Sequence, residues 1–143
     1  MATIKDFEEL EVWKLAREIC KDIYKITQYP DLSRNYALVD QMRRSSGSIM
    51  DNIAEGFERG GTRELIHFLS IAKGSAGELR SQIVRAWDQQ YIEQKEYEFL
   101  KTKIINEGKK LGGFSEYLKN SGIKGSKYKN NEENSQESEE LYK

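Results

Sequence analysis

Apolar residues recur along this chain every three or four positions, in four runs separated by short breaks. The run that organises the others is residues 41–57, QMRRSSGSIMDNIAEGF, which holds no proline. Its stripe is Val39, Met42, Ser46, Ile49, Ile53 and Gly56. That spacing predicts a helix with a nearly heptad seam. The middle of the run is small: Ser45, Ser46, Gly47 and Ser48. A glycine inside a helix costs about 1 kcal/mol relative to alanine, a cost accepted where another backbone must come close. The next run follows the pair Gly60–Gly61, with the stripe Leu65, Leu69, Ala72, Ala76, Leu79, Ile83 and Ala86. Its own small patch is Gly74, Ser75, Ala76 and Gly77. Folding the two runs back about Gly60 and Gly61 brings Val39 to Ile83, Met42 to Leu79, Ser46 to Ala76, Ile49 to Ala72 and Ile53 to Leu69 in a single antiparallel register. This arrangement predicts close helix approach where the two small patches meet. It also sets Arg44 level with Glu78 as an ion pair across the hairpin.

The outer runs complete the picture. Asp6 with Glu9 reads as a capping box that opens a first helix. That helix carries Trp13, Ala16, Ile19, Cys20, Ile23 and Thr27 on one face, and Pro30 closes it. Ser33 is the expected cap of the second helix, which runs to about Glu58. Thr62 is the expected cap of the third, which runs to about Gln90. After a turn at 91–94, a fourth helix carries Tyr97, Leu100, Ile104, Leu111, Phe114 and Leu118. Its stripe lapses at Glu107–Gly108, and Gly112–Gly113 is expected to bend or break it. From Gly122 the chain turns polar, with only Ile123, Tyr128, Leu141 and Tyr142 as apolar residues. Too little surface is available there to offset ordering entropy, so 122–143 reads as a disordered tail. The expected fold is all-α: an antiparallel up-down-up-down four-helix bundle over residues 1–121.

Composition narrows the function classes. The chain has 143 residues, enough for one domain, with one proline and a charged fraction of 33%. Of its 23 basic and 24 acidic residues, the tail holds 4 and 5, leaving a neutral body of 19 and 19. No global field draws such a body to nucleic acid or to a membrane. A polyanion site must then be a local patch or be multiplied by assembly. Cys20 is the one cysteine, so a disulfide framework and a thiolate metal site are excluded, and it reads as a buried thiol. The N-terminus is not a signal peptide and no apolar run is long enough to span a bilayer, so the expected location is the cytoplasm.

Candidate chemistry is sparse. His67 is the one histidine. It faces away from the core stripe with no nucleophile at a usable spacing. Glu64 and His67 have the Glu-x-x-His spacing of a di-iron bundle, but such a cage needs two copies. No catalytic, cofactor or metal site is expected. Asn52 and Glu55 flank the seam, either as a polar recognition site or, on the favoured reading, as hydrogen-bonding residues that fix register beside Gly60 and Gly61. Arg63, His67, Lys73, Arg80 and Arg85 point outward from the third helix, extended by Arg43, Arg44 and Arg59 from the second. The candidate nucleic-acid contacts are Arg43, Arg59, Arg63, Lys73, Arg80 and Arg85, although an outward charge run is more often simply solvated. A further line, Ile66, Ser70, Gly77 and Val84, is apolar at its ends and small in its middle, as a contact with a second copy requires.

The elements QMRRSSGSIMDNIAEGFERG and FLSIAKGSAGEL, preceded by FEELEVWKLAREICKDIYKIT, together resemble the family of 23S rRNA intervening-sequence proteins. The accessory variability determinants of diversity-generating retroelements belong to the same broad group. The resemblance covers roughly Phe7 to Leu118. It implies a four-helix bundle that assembles as a homopentamer, and a non-enzymatic accessory role with RNA or with a nucleic-acid-handling partner such as a reverse transcriptase. A purely structural interaction module without a nucleic-acid ligand is the alternative.

Overall fold

Asp6 and Glu9 form their capping box, but it opens a single 3-10 turn, Phe7–Glu9, rather than the long helix. The Glu9 carboxylate accepts from the backbone N–H groups of Lys5 and Asp6 at 2.9 and 3.1 Å. In this computed structural model, which describes residues 3–121, the first long helix, α1, is Glu11–Ile26. Its fully buried face is Val12, Ala16, Ile19 and Ile23. Trp13 is half-buried and packs edge-on against Phe7 at 5.2 Å.

Pro30 does not close α1. The helix ends three residues before Tyr29, and Thr27 bonds back to the Ile23 carbonyl through its N–H and its hydroxyl. Pro30 instead starts a short helix, α2, Pro30–Ser33, at the first position, where a missing N–H does no harm. This segment exists to seat Leu32, which is fully buried. The cap of the next helix is Asn35, not Ser33: its side chain accepts from the Leu38 N–H at 3.2 Å. Ser33 donates to the Pro30 carbonyl.

Helix α3 is Tyr36–Glu58, α4 is Thr62–Asp88 and α5 is Gln94–Ser121. Gly60, at φ 84°, makes the left-handed reversal between α3 and α4 that other residues resist. Gly61 occupies the cap position of α4, so Thr62 is already inside the helix. At the far end of α4, Gln89 is followed by Gln90 at φ 62°. The N–H groups of Gln90 and Tyr91 return to the Trp87 and Ala86 carbonyls in a Schellman motif. Helix α5 passes through Gly112 and Gly113 without a break.

The four long helices make an antiparallel bundle: α3 packs on α4, α4 on α5, and α1 lies against both α3 and α5. The α3–α4 hairpin is antiparallel as expected, and its mid-length hydroxyl contact lies within a residue or two of the expected register, whereas the long Arg85 and Gln41 side chains meet across four or five positions. Ser48 meets Ser75 hydroxyl to hydroxyl at 2.9 Å, and Arg85 donates to Gln41 at 2.7 Å. The small patches meet through Ser48 and Ser75, but their glycines take no part in the contact. A Cβ on Gly47, Gly74 or Gly77 would meet nothing within 4 Å. A Cβ on Gly56 would sit 2.7 Å from the Phe68 Cβ and 3.3 Å from the Leu65 Cα. The tightest glycine contact therefore lies beside the turn, and three glycines of the small patches face outward. The expected Arg44–Glu78 pair does not form; Arg44 binds Asp40 one turn back at 2.9 Å, and both are well exposed.

The lapse in the α5 stripe has a physical consequence. Glu107 lies on the core face and is fully buried, with neither carboxylate oxygen hydrogen-bonded. Burial drives its pKa up to about 9; the Lys110 ammonium opposes the shift and the Glu11 carboxylate adds to it. Near the middle of α3 and α4 the buried residues include the small Ser45, Ser46, Ala72, Ser75 and Ala76.

The α3–α4 approach and the buried carboxylate each yield a test. Gly56→Ala forces α3 and α4 apart and should lower stability by about 1–3 kcal/mol, whereas Gly47→Ala and Gly74→Ala should each raise it, by up to about 1 kcal/mol, in urea melts. Glu107 ionises near its ordinary value when unfolded but keeps its proton to about pH 9 when folded. The folded state thus binds more protons in between, and stability should fall as pH rises from about 5 to about 9, with a slope of up to about 1.4 kcal/mol per unit. Glu107→Gln should abolish that slope in urea midpoints taken across the range.

Candidate nucleic-acid interface

The bundle has two polar outer surfaces that the sequence motifs populate. The first is the outward side of α3. Because Gly47 has no side chain, a shallow depression of about 660 Å³ forms there, bordered by Tyr24, Arg43, Arg44, Asp51, Asn52 and Glu55 among others. Its two ends are tied down from within. Arg43 lies over the Tyr24 ring at 4.7 Å and donates through Nε to the Thr27 hydroxyl at 3.0 Å, fastening α3 to α1. At the other end the Asn52 amide donates to the Ser48 carbonyl and hydroxyl at 2.8 and 2.9 Å, and Ser48 in turn reaches Ser75 on α4. Ser75 is buried, so this chain of three polar side chains crosses the helix seam and is satisfied inside it. Glu55 is exposed and pairs with Arg59 at 2.7 Å.

The second surface runs along α4. Its basic residues do not form the single face that the outward spacing suggested. Arg59 and Arg63 stand on either side of the Gly60–Gly61 turn, and the Arg59 guanidinium lies over the Phe68 ring at 5.1 Å. Arg85 leans towards α3, where it meets Gln41. Lys73 and Arg80 turn the opposite way, into a groove of about 260 Å³ between α4 and α5. The structure brings these two together and adds Lys109 from α5. The floor is Ala76, Gly77, Ile104, Ile105 and Gly108, and no acidic side chain borders it. Among the described residues, Lys73, Arg80, Lys109 and Arg63 form no ion pair. Lys109 escapes a sequence reading that weighs each helix separately, because only the α4–α5 packing sets it beside Arg80.

The line Ile66, Ser70, Gly77 and Val84 divides. Ser70 and Gly77 are exposed, whereas Ile66 and Val84 are half-buried against the core. Glu78 is exposed on α4. His67 is exposed and meets the Phe68 ring edge-on. No group of three or more potential metal ligands occurs among the described residues, and no helix there is long and apolar enough to cross a membrane.

On the α1–α5 side, Lys103 reaches Asp22 at 2.9 Å and Glu18 at 3.5 Å. Burial works against its charge, but the Asp22 hydrogen bond and the two carboxylates outweigh it and hold its pKa above the ordinary lysine value. Below it, Tyr29 donates to the Glu96 carboxylate, and that bond, with burial, raises the phenol to about 12.

The sequence profile of the 23S rRNA-intervening sequence protein family matches residues 8–113, which takes in α1, α3, α4 and most of α5. The chain belongs to that family. Among solved structures, this family member is similar to a Bacteroides thetaiotaomicron protein described as being of unknown function and from the S23 ribosomal protein family. The two share 23% identity over 73% of this chain and 97% of the other, with a TM-score of 0.67, which establishes a common fold. No curated protein matches the chain.

The Ser48–Ser75 hydroxyl pair is the polar contact that joins the two motif helices at their centre. A double-mutant cycle with Ser48→Ala and Ser75→Ala should give a coupling of about 0.5–1.5 kcal/mol in urea melts, and Asn52→Ala should weaken that coupling.

Proposed function

We propose that this protein is a non-enzymatic, self-associating accessory or scaffold protein that binds RNA, or serves a partner that handles it such as a reverse transcriptase, through the α4–α5 groove. One observation carries the reading: Lys73, Arg80 and Lys109 converge on a groove bordered by no carboxylate, and none of the three forms an ion pair among the described residues. Phosphate contacts gain affinity by releasing counterions, in proportion to the number of cations that engage. Three cations per copy make a weak site alone. Repeated around a homopentamer, they make a polyanion surface on a body with no net charge. The six arginines and lysines named from sequence then separate by role. Lys73 and Arg80 contact RNA, Arg63 is available at the turn, and Arg43, Arg59 and Arg85 are held by neighbours within the bundle.

A purely structural module is the second reading. It is favoured by the outward glycines Gly47 and Gly74 and by the exposure of Ile71 beside them, since helix glycines without an internal contact suit a partner's close approach. Both readings keep the protein self-associating, and light scattering measures that state directly.

Fluorescence anisotropy with a labelled single-stranded RNA separates them. Lys73→Glu with Arg80→Glu should weaken binding at least about tenfold and reduce the slope of log affinity against log salt by about 1.4, with an unchanged helical circular dichroism signal. Equal affinity of variant and wild type would remove the groove as the RNA site; no salt-sensitive binding by either would leave the structural module.

A further inference from the structure

The α4–α5 groove gathers three cations around a floor that is largely apolar. Gly77 and Gly108 lie on its floor, one from each helix, and a Cβ on either would touch nothing within 4 Å. Missing side chains on both helices leave open space at the centre of the groove. Some exposed cations elsewhere on the described surface pair with acids of the bundle itself, as in Arg44–Asp40, Arg59–Glu55 and Lys119–Glu116. This groove lacks that internal neutralisation.

The chain carries the complement. Beyond Ser121 the sequence runs GIKGSKYKNNEENSQESEELYK, and residues 130–140 contain five acidic side chains and no basic one. These residues lie outside those the structure describes, but α5 fixes where their connection begins. The groove residues 104–109 on α5 lie 12–17 positions before Ser121, about 18–26 Å back along the helix at 1.5 Å per residue. The acidic run starts 11 residues past Ser121 and ends 19 past it. Chain statistics for those numbers of residues give root-mean-square spans of about 17–26 Å. A tether whose mean span equals the distance to be bridged gives the largest effective concentration, on the millimolar scale, so that few contacts suffice.

We propose that the acidic segment 132–140 of this same chain folds back into the α4–α5 groove and neutralises Lys73, Arg80 and Lys109. Glu132, Glu133, Glu137, Glu139 and Glu140 supply the carboxylates, and Gly77 and Gly108 the space. The groove is then occupied by its own chain until a denser polyanion displaces the segment. The docking stands without RNA; its regulatory consequence rests on the groove being the RNA site proposed above.

The test uses the full chain with a nitroxide on Ser138→Cys in a Cys20→Ser background, with amide signals read by NMR and no RNA present. In about 25 mM salt the amides of 73–80 and 104–109 should lose more than about half their intensity, and regain it in about 0.5 M salt, where the Debye length falls from about 20 to about 4 Å. Changing the five glutamates to glutamine, or Lys73 and Lys109 to glutamate, should restore the signals at low salt. Broadening that is absent, centred on another surface, or unchanged by either set of substitutions would overturn the proposal. So would broadening that passes from spin-labelled to separately isotope-labelled copies in a mixture, because that is docking between chains. The RNA reading is tested by anisotropy alone, so each can fail without the other.

Discussion

At Gly56 the first turn of α4 rests almost directly on the backbone of α3, and the rest of the bundle takes its alignment from that contact. Leu65 and Phe68 fill the space a side chain would occupy, and Gly60 makes the reversal that brings them there. Once one end of an antiparallel pair is seated, 1.5 Å per residue on each helix sets the remainder. Ser48 then reaches Ser75 at mid-length, and Gln41 reaches Arg85 near the far end. The outer helices are added to this hairpin, α1 through the Arg43–Tyr24 and Arg43–Thr27 contacts and α5 through its apolar face. The middle of the hairpin contributes small side chains to the core, and α5 brings a carboxylic acid to the interior. An uncharged acid is tolerable there in a way that a carboxylate is not, because the penalty for removing a full charge from water is far larger than that for a neutral polar group.

Much of this was legible in the sequence, for a specific reason. Helix periodicity in α3, α4 and α5 is long and regular, and two stripes joined by a glycine turn permit few registers. The stripes also placed Ser46 and Ala76 inward, but did not show that Ser45 and Ser75 join them. Ser45, Ser46, Ser75 and Ala76 are buried, whereas Gly47, Gly74 and Gly77 are on the outer side, although all seven lie in the same two short patches. A capping box marks the start of any helical turn, and at the chain's beginning that turn is a 3-10 one. Proline both terminates and initiates helices, and at Pro30 the burial of Leu32 decides between the two. Glu107 shows as a gap in a stripe, which is equally what a broken helix would leave.

The candidate site was less legible, because a groove belongs to two helices at once. Lys73 and Arg80 stand out on α4 alone, but nothing in α4 indicates that Lys109 joins them while Arg85 turns the other way. Side chains at the edge of a helix are directed by the neighbour they meet. Gln41 draws Arg85, Thr27 draws Arg43, and Glu55 holds Arg59. Charges that find no such neighbour remain available to an outside ligand. A basic residue count along the sequence mixes the two kinds, and packing separates them.

The two tryptophans occupy opposite ends of the bundle. Trp13 lies at the start of α1 against Phe7, and Trp87 near the end of α4 is stacked on Tyr97 of α5 at 4.2 Å. In an up-down bundle these positions are separated by most of the helix length. The molecule thus contains a pair of intrinsic optical reporters, each quenched or shifted by a different aromatic neighbour. Fraying at one pole would alter one emission and spare the other, while cooperative melting would change both together.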